Sequence, residues 1–248
     1  MACRNARKTT KTPRPNSEVP AIAENELVAA GIEVNVANNY AALEYVDLGL
    51  PSGLLWNTRN LGATTPEGFG NYYAWGETNP KEVYNWSNYE HCHAVGNYPK
   101  FTKYCYSDDW SGNMGYNGHT VDLTVLEPED DAATANLGNG WRMPTREEFQ
   151  ELMDNTTNTW ATRNGVDGRL FTASNGNILF LPVAGYRYDS DLYDPNRGYY
   201  WSSSLQTGWI PLDAHNLYFK SDPDQCIVHV CSREEGLPVR AVRPSGGN

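Results

Sequence analysis

Tyr199-Tyr200-Trp201, Leu217-Tyr218-Phe219 and Leu237-Pro238-Val239-Arg240-Ala241-Val242-Arg243 punctuate the last part of this 248-residue chain, between Gly185 and Arg243. Each run is strand-length, rich in aromatic or β-branched residues and bounded by turn formers, so the three predict the end of a sheet. The intervening segments, Tyr188 to Arg197, Gln206 to Asn216 and Lys220 to Glu235, mix Asp, Tyr, Trp, His, Cys and Pro. They keep no steady period of two or 3.6 and therefore read as loops or edge strands displayed by a rigid frame. A frame that holds polar and aromatic groups outward is a binding surface.

Upstream of this region, Gly168-Arg169-Leu170-Phe171 and Ile178-Leu179-Phe180-Leu181-Pro182-Val183 predict two strands about a Ser174-Asn175-Gly176-Asn177 turn. Thr145 to Asp154 carries the clearest helix signal. Thr145 is placed to cap, Glu148 stands three residues on as its capping-box partner, and Phe149, Leu152 and Met153 share one face. A shorter helix is expected from Asp130 or Asp131 through Ala135, ended by Gly138 and Gly140. Tyr45 to Trp56 reads as strand, Pro-Ser-Gly turn, strand, and opens the main domain, residues 45–248. Tyr72-Tyr73-Ala74-Trp75-Gly76-Glu77 is a further aromatic run, and Thr78 to Val125 is expected to be loops pinned by Trp86, Tyr89, Tyr104 and Trp110. Residues 1–44 form an arm, with Glu24 to Ala30 a short helix candidate and Ile32-Glu33-Val34-Asn35-Val36 an alternating strand candidate.

Composition narrows the class. With 40% hydrophobic residues the chain can bury a full core, and 8 Trp, 16 Tyr, 22 Gly and 15 Pro favour short strands and many turns over a helical bundle. The net charge of −11 argues against general nucleic-acid binding. That charge is unevenly spread. Arg4, Arg7, Lys8, Lys11 and Arg14 against Glu18 make the first twenty residues +4, which leaves −15 for the rest. No apolar run of signal-peptide or membrane-span length follows these cations, so neither Sec export nor membrane insertion is expected.

The residues that carry chemistry elsewhere form no recognisable catalytic pattern. Cys3, Cys92, Cys105, Cys226 and Cys231 are an odd number in a long chain, and neither His91-Cys92-His93 nor Cys226 with His229 and Cys231 makes the paired clusters of a zinc site. Ser202, Ser203 and Ser204 have Asp213 and His215 nearby but no nucleophile elbow, so their hydroxyls are expected to bond within the scaffold. Glu127, Glu129, Asp130 and Asp131 are better explained by helix capping than by acid–base catalysis. Asp189, Asp191 and Asp194, or Asp222 and Asp224, offer calcium-type oxygens, but turn-forming aspartates look the same. No enzymatic activity and no cofactor is expected.

The order of motifs carries further information. Leu48-Gly49-Leu50-Pro51-Ser52-Gly53-Leu54-Leu55-Trp56, Tyr73-Ala74-Trp75-Gly76-Glu77, Asp131-Ala132-Ala133, Gly140-Trp141-Arg142-Met143-Pro144-Thr145 with Glu148, Tyr200-Trp201-Ser202-Ser203-Ser204 and Val239-Arg240-Ala241-Val242-Arg243 together resemble the major paralogous domain family first described in Fibrobacter and abundant in gut Bacteroidetes. The resemblance covers about Tyr45 to Arg243. It implies an α+β, C-type lectin-like fold of the kind shared with formylglycine-generating enzymes, in which two helices pack on small twisted antiparallel sheets with extensive loops. Trp75, Trp141, Trp201, Leu217, Phe219 and Val239 are then core, and Arg142 and Arg240 hold the scaffold.

The frame is also similar to the variable proteins of diversity-generating retroelements, whose diversified positions cluster just before a fixed terminal strand. By that resemblance the ligand-contact residues are Tyr188, Asp189, Tyr193, Asp194, Asn196, Arg197, Gln206, Trp209, Ile210, Asp213, His215, Tyr218, Lys220, Cys226, Val228, His229 and Cys231. Tyr188, Tyr193, Trp209 and His215 are the expected anchors, because stiff amphipathic rings give contact area at modest entropy cost. The expected function is a receptor-binding adhesin, on a phage tail or as a non-diversified surface module, with a cell-surface protein or glycan as ligand. Without a Sec signal, such a protein is expected on a virion surface or in the cytoplasm before assembly, its basic arm attached to a larger assembly. Self-association of copies stays open. A remote alternative, a copper oxidase of formylglycine-generating type using Cys226 and Cys231, rests on their spacing alone.

Overall fold

Val46 points inward between the exposed Tyr45 and Asp47, the alternation that makes Tyr45–Asp47 (β1) a strand with one buried face. It pairs antiparallel with Leu54–Asn57 (β2), Val46 opposite Trp56, around a turn closed by Gly53 N–H donating to Leu50 O at 2.9 Å. The computed structural model describes residues 44–95, 98–105, 123–207, 211–222 and 224–246. The expected arm elements at Glu24 to Ala30 and Ile32 to Val36, the basic tail, Trp110, Trp209 and Ile210 lie outside them.

The far side of β2 is taken by Val242–Pro244 (β13), with Val242 also opposite Trp56, so the last strand closes the sheet that the first one opens. The strand expected over Leu237 to Arg243 is therefore mostly not a strand. Its backbone serves several partners in turn: Leu237 bridges Tyr73, Pro238 O accepts from Trp201 N, Val239 O from Leu61 N, and Ala241 O from Asn57 N. Pro238 has no N–H to give to a ladder, and a run that bonds four different segments keeps no single neighbour. Arg240, fully buried, spans the gap by donating to Asn60 Oδ1 and Asn57 O, the scaffold role expected of it.

Both helices begin where their caps stand. Asp131 accepts from Thr134 N at 2.9 Å and starts Ala132–Leu137 (α1), which ends at Gly138 with φ +59°. Thr145 and Glu148 form the reciprocal capping box of Arg146–Asp154 (α2), and Arg142 makes a two-pronged bond to the same Glu148 carboxylate. Phe149 and Leu152 of α2 are fully buried among Trp56, Leu179, Tyr200 and Leu217.

A second sheet, Thr156–Arg163 (β5), Val166–Ala173 (β6) and Ile178–Pro182 (β7), follows α2. The β6–β7 turn lies where it was expected, but β5 had no apolar signature: Thr-Thr-Asn-Thr-Trp-Ala-Thr-Arg is an edge strand whose side chains are mostly half-exposed. The loop expectation for 78–125 also needs correction. Cys92–Val95 (β3) and Tyr98–Phe101 (β4) pair antiparallel within it, Cys92 opposite Phe101.

Tyr186–Tyr188 (β8) and Asp191–Tyr193 (β9) form a short hairpin, and Gly198–Leu205 (β10), Asp213–Lys220 (β11) and Gln225–Ser232 (β12) form a sheet in that order. Trp75, Trp141, Trp201, Leu217, Phe219 and Val239 are all buried, as expected. Small antiparallel sheets with two α-helices among the described residues make this an α+β protein. No helix among them is long and apolar enough to cross a membrane.

Candidate functional site

Antiparallel register decides what the β10–β11–β12 sheet presents on each side. Tyr218 stands opposite Tyr199 and Ile227, and Asn216 opposite Trp201 and His229; these share one face. Tyr200, Leu217, Phe219, His215, Cys226, Val228 and Val230 take the other, against α2.

On the first face the rings touch in series. Tyr188 lies edge-on to Tyr193 at 6.3 Å, and Tyr193 stacks on Tyr186 at 5.6 Å. Tyr186 meets Tyr199 at 5.1 Å, Tyr199 meets Tyr218 at 5.0 Å, and Tyr218 meets His229 at 5.4 Å. Six rings thus run from the β8–β9 hairpin across all three strands to β12. Tyr188, Tyr193 and His229 are half-buried, while Tyr186 and Tyr199 are buried pillars beneath them.

A clamp at Asp194 ties the hairpin to β10. Asp194, in the left-handed region at φ 46°, accepts from Tyr199 Oη at 2.8 Å and from Arg197 Nη1 at 3.2 Å. Its carbonyl accepts from Arg197 N at 2.9 Å, and Gly185 N in turn donates to Arg197 O at 2.9 Å. Only glycine fits at 185: its φ is +64°, and a Cβ there would lie 2.3 Å from Tyr193 O. Burial raises the pKa of Tyr186, Tyr199 and Tyr218, so these phenols stay protonated. Burial lowers that of His229, which favours a neutral imidazole.

The expected contact residues divide accordingly. Tyr188, Tyr193, Asp194, Arg197, Tyr218 and His229 come together on the aromatic face. Asp189 and Asn196 are exposed on adjoining turns, and Asp189 accepts from Asn85 Nδ2 at 2.8 Å. Lys220 ends β11 opposite Gln225; Asp213 begins it opposite Ser232; Gln206 bonds Thr207 O. His215, Cys226 and Val228 belong to the opposite face. His215 is only 7% exposed and Tyr218 only 8%, so neither presents a surface, which corrects the anchor expected at His215 and the contact expected at Tyr218. Cys231, at 0% exposure, is core packed with Trp201 and Ala214, a second correction. The odd spacing of Cys226 and Cys231 on one strand puts them on opposite faces, roughly 16 Å apart along it, so they do not form a ligand pair.

The remaining polar candidates are absorbed by the scaffold. Ser202 Oγ donates to His215 O at 2.8 Å, and Ser204 Oγ accepts from Arg146 N at 3.1 Å, which ties α2 to β10. Asp224 pairs with Arg169. Among the described residues no three His, Cys, Asp or Glu side chains gather as a metal ion would require. Tyr186 and Tyr199 were not among the expected contact residues: both are buried in the core with Trp201, and only ring contacts between strands show that they carry the series.

Behind the sheet, α2 and β12 enclose an open groove of ≈ 620 Å³ lined by Arg146, Gln150, Met153, His215, Val228 and Val230 among others. His215 Nε2 lies 3.4 Å from Arg146 Nη1. Burial, then the Arg146 charge, lowers the His215 pKa. The chain matches no family model, and neither a curated protein nor a solved structure gives a significant match.

Proposed function

We propose that this chain is a ligand-binding protein whose C-type lectin-like scaffold presents a variable C-terminal surface, and that it serves as a retroelement-diversified receptor-binding adhesin of phage-tail type. The observation that carries this reading is the run of six rings, drawn from β8, β9, β10, β11 and β12. Three of the six, Tyr188, Tyr193 and His229, are positions where the sequence departs from its framing motifs. Stiff tyrosines over buried tyrosines offer apolar area already ordered before a ligand arrives, and protonated hydroxyls at their tips give direction. Arg197, whose side chain is 39% exposed, adds a cation at the rim. A cell-surface protein or glycan is the ligand such a face suits.

The test is binding of the purified chain to host cells and to a glycan array, followed by Tyr188→Ala and Tyr193→Ala. Each truncation should weaken binding by about 2 kcal/mol, roughly 30-fold, the scale of an interface hot spot, with the far-ultraviolet spectrum unchanged. Unaltered affinity in both variants would remove this face as the binding surface. Diversification is tested separately, by a neighbouring reverse transcriptase gene and an adenine-rich near-copy of the 3′ end; their absence leaves an ordinary binding module.

A further inference from the structure

Among the described residues β12 is an edge strand, paired with β11 on one side only. Its register fixes which backbone groups that edge presents. Arg233 N donates to Leu212 O at 2.9 Å, one step past the Asp213–Ser232 pair, whereas Asp213 O turns the other way and accepts from Gln206 N at 3.1 Å. Bonded and non-bonded positions alternate along an antiparallel pair. Gln225, Ile227, His229 and Cys231 therefore turn their N–H and C=O groups toward β11, while Cys226 and Val228 turn theirs outward. Both of these residues are half-buried, and β12 carries none of the Lys, Arg, Asp, Glu or Pro that keep an edge from pairing.

The groove beside α2 follows the same edge. It borders five consecutive residues of β12, Cys226 to Val230, and because alternate side chains face opposite sides it tracks the main chain rather than one row of side chains. Met153 and Val228 give it an apolar wall. Its rim is acidic. Val228 also lines a neighbouring depression with Glu147, Glu151, Asp154 and Arg146, where three carboxylates against one guanidinium leave two net negative charges. Among the described residues only Glu147 of the three pairs with a cation, Arg146, at 3.1 Å; Glu151 accepts from Ser52 N and Asp154 from the Gln150 amide. Charge separates the two occupants that would complete such an edge. A second copy, paired antiparallel about a twofold axis at Val228, would place both α2 helices on one face of the joined sheet and set acidic rim beside acidic rim, in a chain of net charge −11. A basic strand from another protein meets opposite charge instead.

We propose that β12 takes up an extended basic segment of a partner protein as an added strand. The segment's backbone bonds the outward N–H and C=O groups of Cys226 and Val228, as in other cases of strand addition to a sheet edge. Its lysines or arginines lay their apolar stems over Met153 and Val228 and carry their charged ends to Glu147 and Asp154. Main-chain bonds supply the register, and the acidic rim supplies the choice of partner.

The probe is a synthetic peptide of about seven residues, a common strand length, alternating lysine and valine and titrated into the full ¹⁵N-labelled chain. At saturation, amide exchange at Cys226 and Val228 should slow by about tenfold or more, with little change at Ile227 and His229, whose N–H groups already face β11. Glu147→Gln combined with Asp154→Asn should weaken the peptide roughly fivefold to tenfold, since each removes one exposed attraction. Both side chains are on the surface, and near-ultraviolet dichroism checks that the variant stays folded. Two control peptides complete the set. Glutamate in place of lysine should abolish the protection, and so should N-methylation of the lysine–valine peptide at the bonding amides, which leaves its charge unchanged. Slow exchange at Cys226 and Val228 before any peptide is added would overturn the proposal, whether or not it grows with concentration as self-pairing requires. Equal binding of either control peptide, or saturation without slower exchange at these two amides, would overturn it as well. None of these outcomes bears on Tyr188 or Tyr193, so the strand edge and the aromatic face stand or fall separately.

Discussion

Replacing His215 by Gln separates a buried structural imidazole from a surface anchor. His215 is held among Arg146, Val230 and the carbonyl-bonded Ser202, and both burial and the Arg146 charge push its pKa below the ordinary 6.5. The sign follows from linkage. As pH falls below 6.5 the unfolded chain protonates this ring while the folded chain resists, so the stability present above the unfolded pKa is lost as pH falls toward the folded one. Between pH 7 and pH 5 a ring that stays neutral when folded and titrates at 6.5 when unfolded removes at most about 1.9 kcal/mol. His91, also shifted downward by burial, and the carboxylates contribute to the same acid limb, but they are present in both proteins and cancel in the difference. Urea unfolding of the wild type and His215→Gln at pH 7, 6 and 5 supplies that difference. The wild type should be the more stable at pH 7, and its advantage should narrow toward pH 5 by an amount between a few tenths and about 1.9 kcal/mol. An advantage constant across the three pH values would mean that the folded ring titrates normally, and the buried placement would be wrong.

Other perturbations test the frame around the site. Gly198→Ala would put a Cβ 2.0 Å from the Phe219 ring, which is itself stacked on Tyr200, so the variant should lose about 1–3 kcal/mol from overpacking. A urea midpoint within error of wild type would refute that. Thr145→Ala removes the bond to Glu148 N and should cost about 1 kcal/mol by the same measurement. Arg233 is fully buried, 4.3 Å from the Phe101 ring and 5.0 Å from Trp75, and donates to Tyr89 Oη, Tyr104 O and Pro211 O. Arg233→Lys keeps the charge but not the fork, and should destabilise by about 3 kcal/mol or more; a loss below about 1 kcal/mol would show that charge alone suffices.

How far the chain could be read depended on the range of the interaction involved. Thr145, Glu148 and the Phe149–Leu152 face announce α2 because a cap and a 3.6-residue period are complete within ten residues. The Asp131 cap and the Gly138 stop announce α1 for the same reason. By contrast, Gln225-Cys226-Ile227-Val228-His229-Val230-Cys231-Ser232 is half-buried along most of its length and alternates too weakly to reveal a strand, although it pairs residue for residue with β11. The Leu237 to Arg243 run misleads in the other direction, since its apolar content serves burial rather than a ladder.

Residue chemistry alone established the helix caps, because a cap depends on neighbours a few residues away; the aromatic core positions were expected from the order of motifs, and the stretch proposed to bind, Tyr188 to Glu235, from its irregular chemistry. Which side chains of that stretch share a face was settled only by the fold. His215 and His229 have the same chemistry, yet Asn216, not His215, stands opposite His229, and that pairing sends the two imidazoles to opposite sides of the sheet. Register is fixed by backbone bonds between segments distant in the chain, and a shift of one residue would exchange the buried and displayed sets.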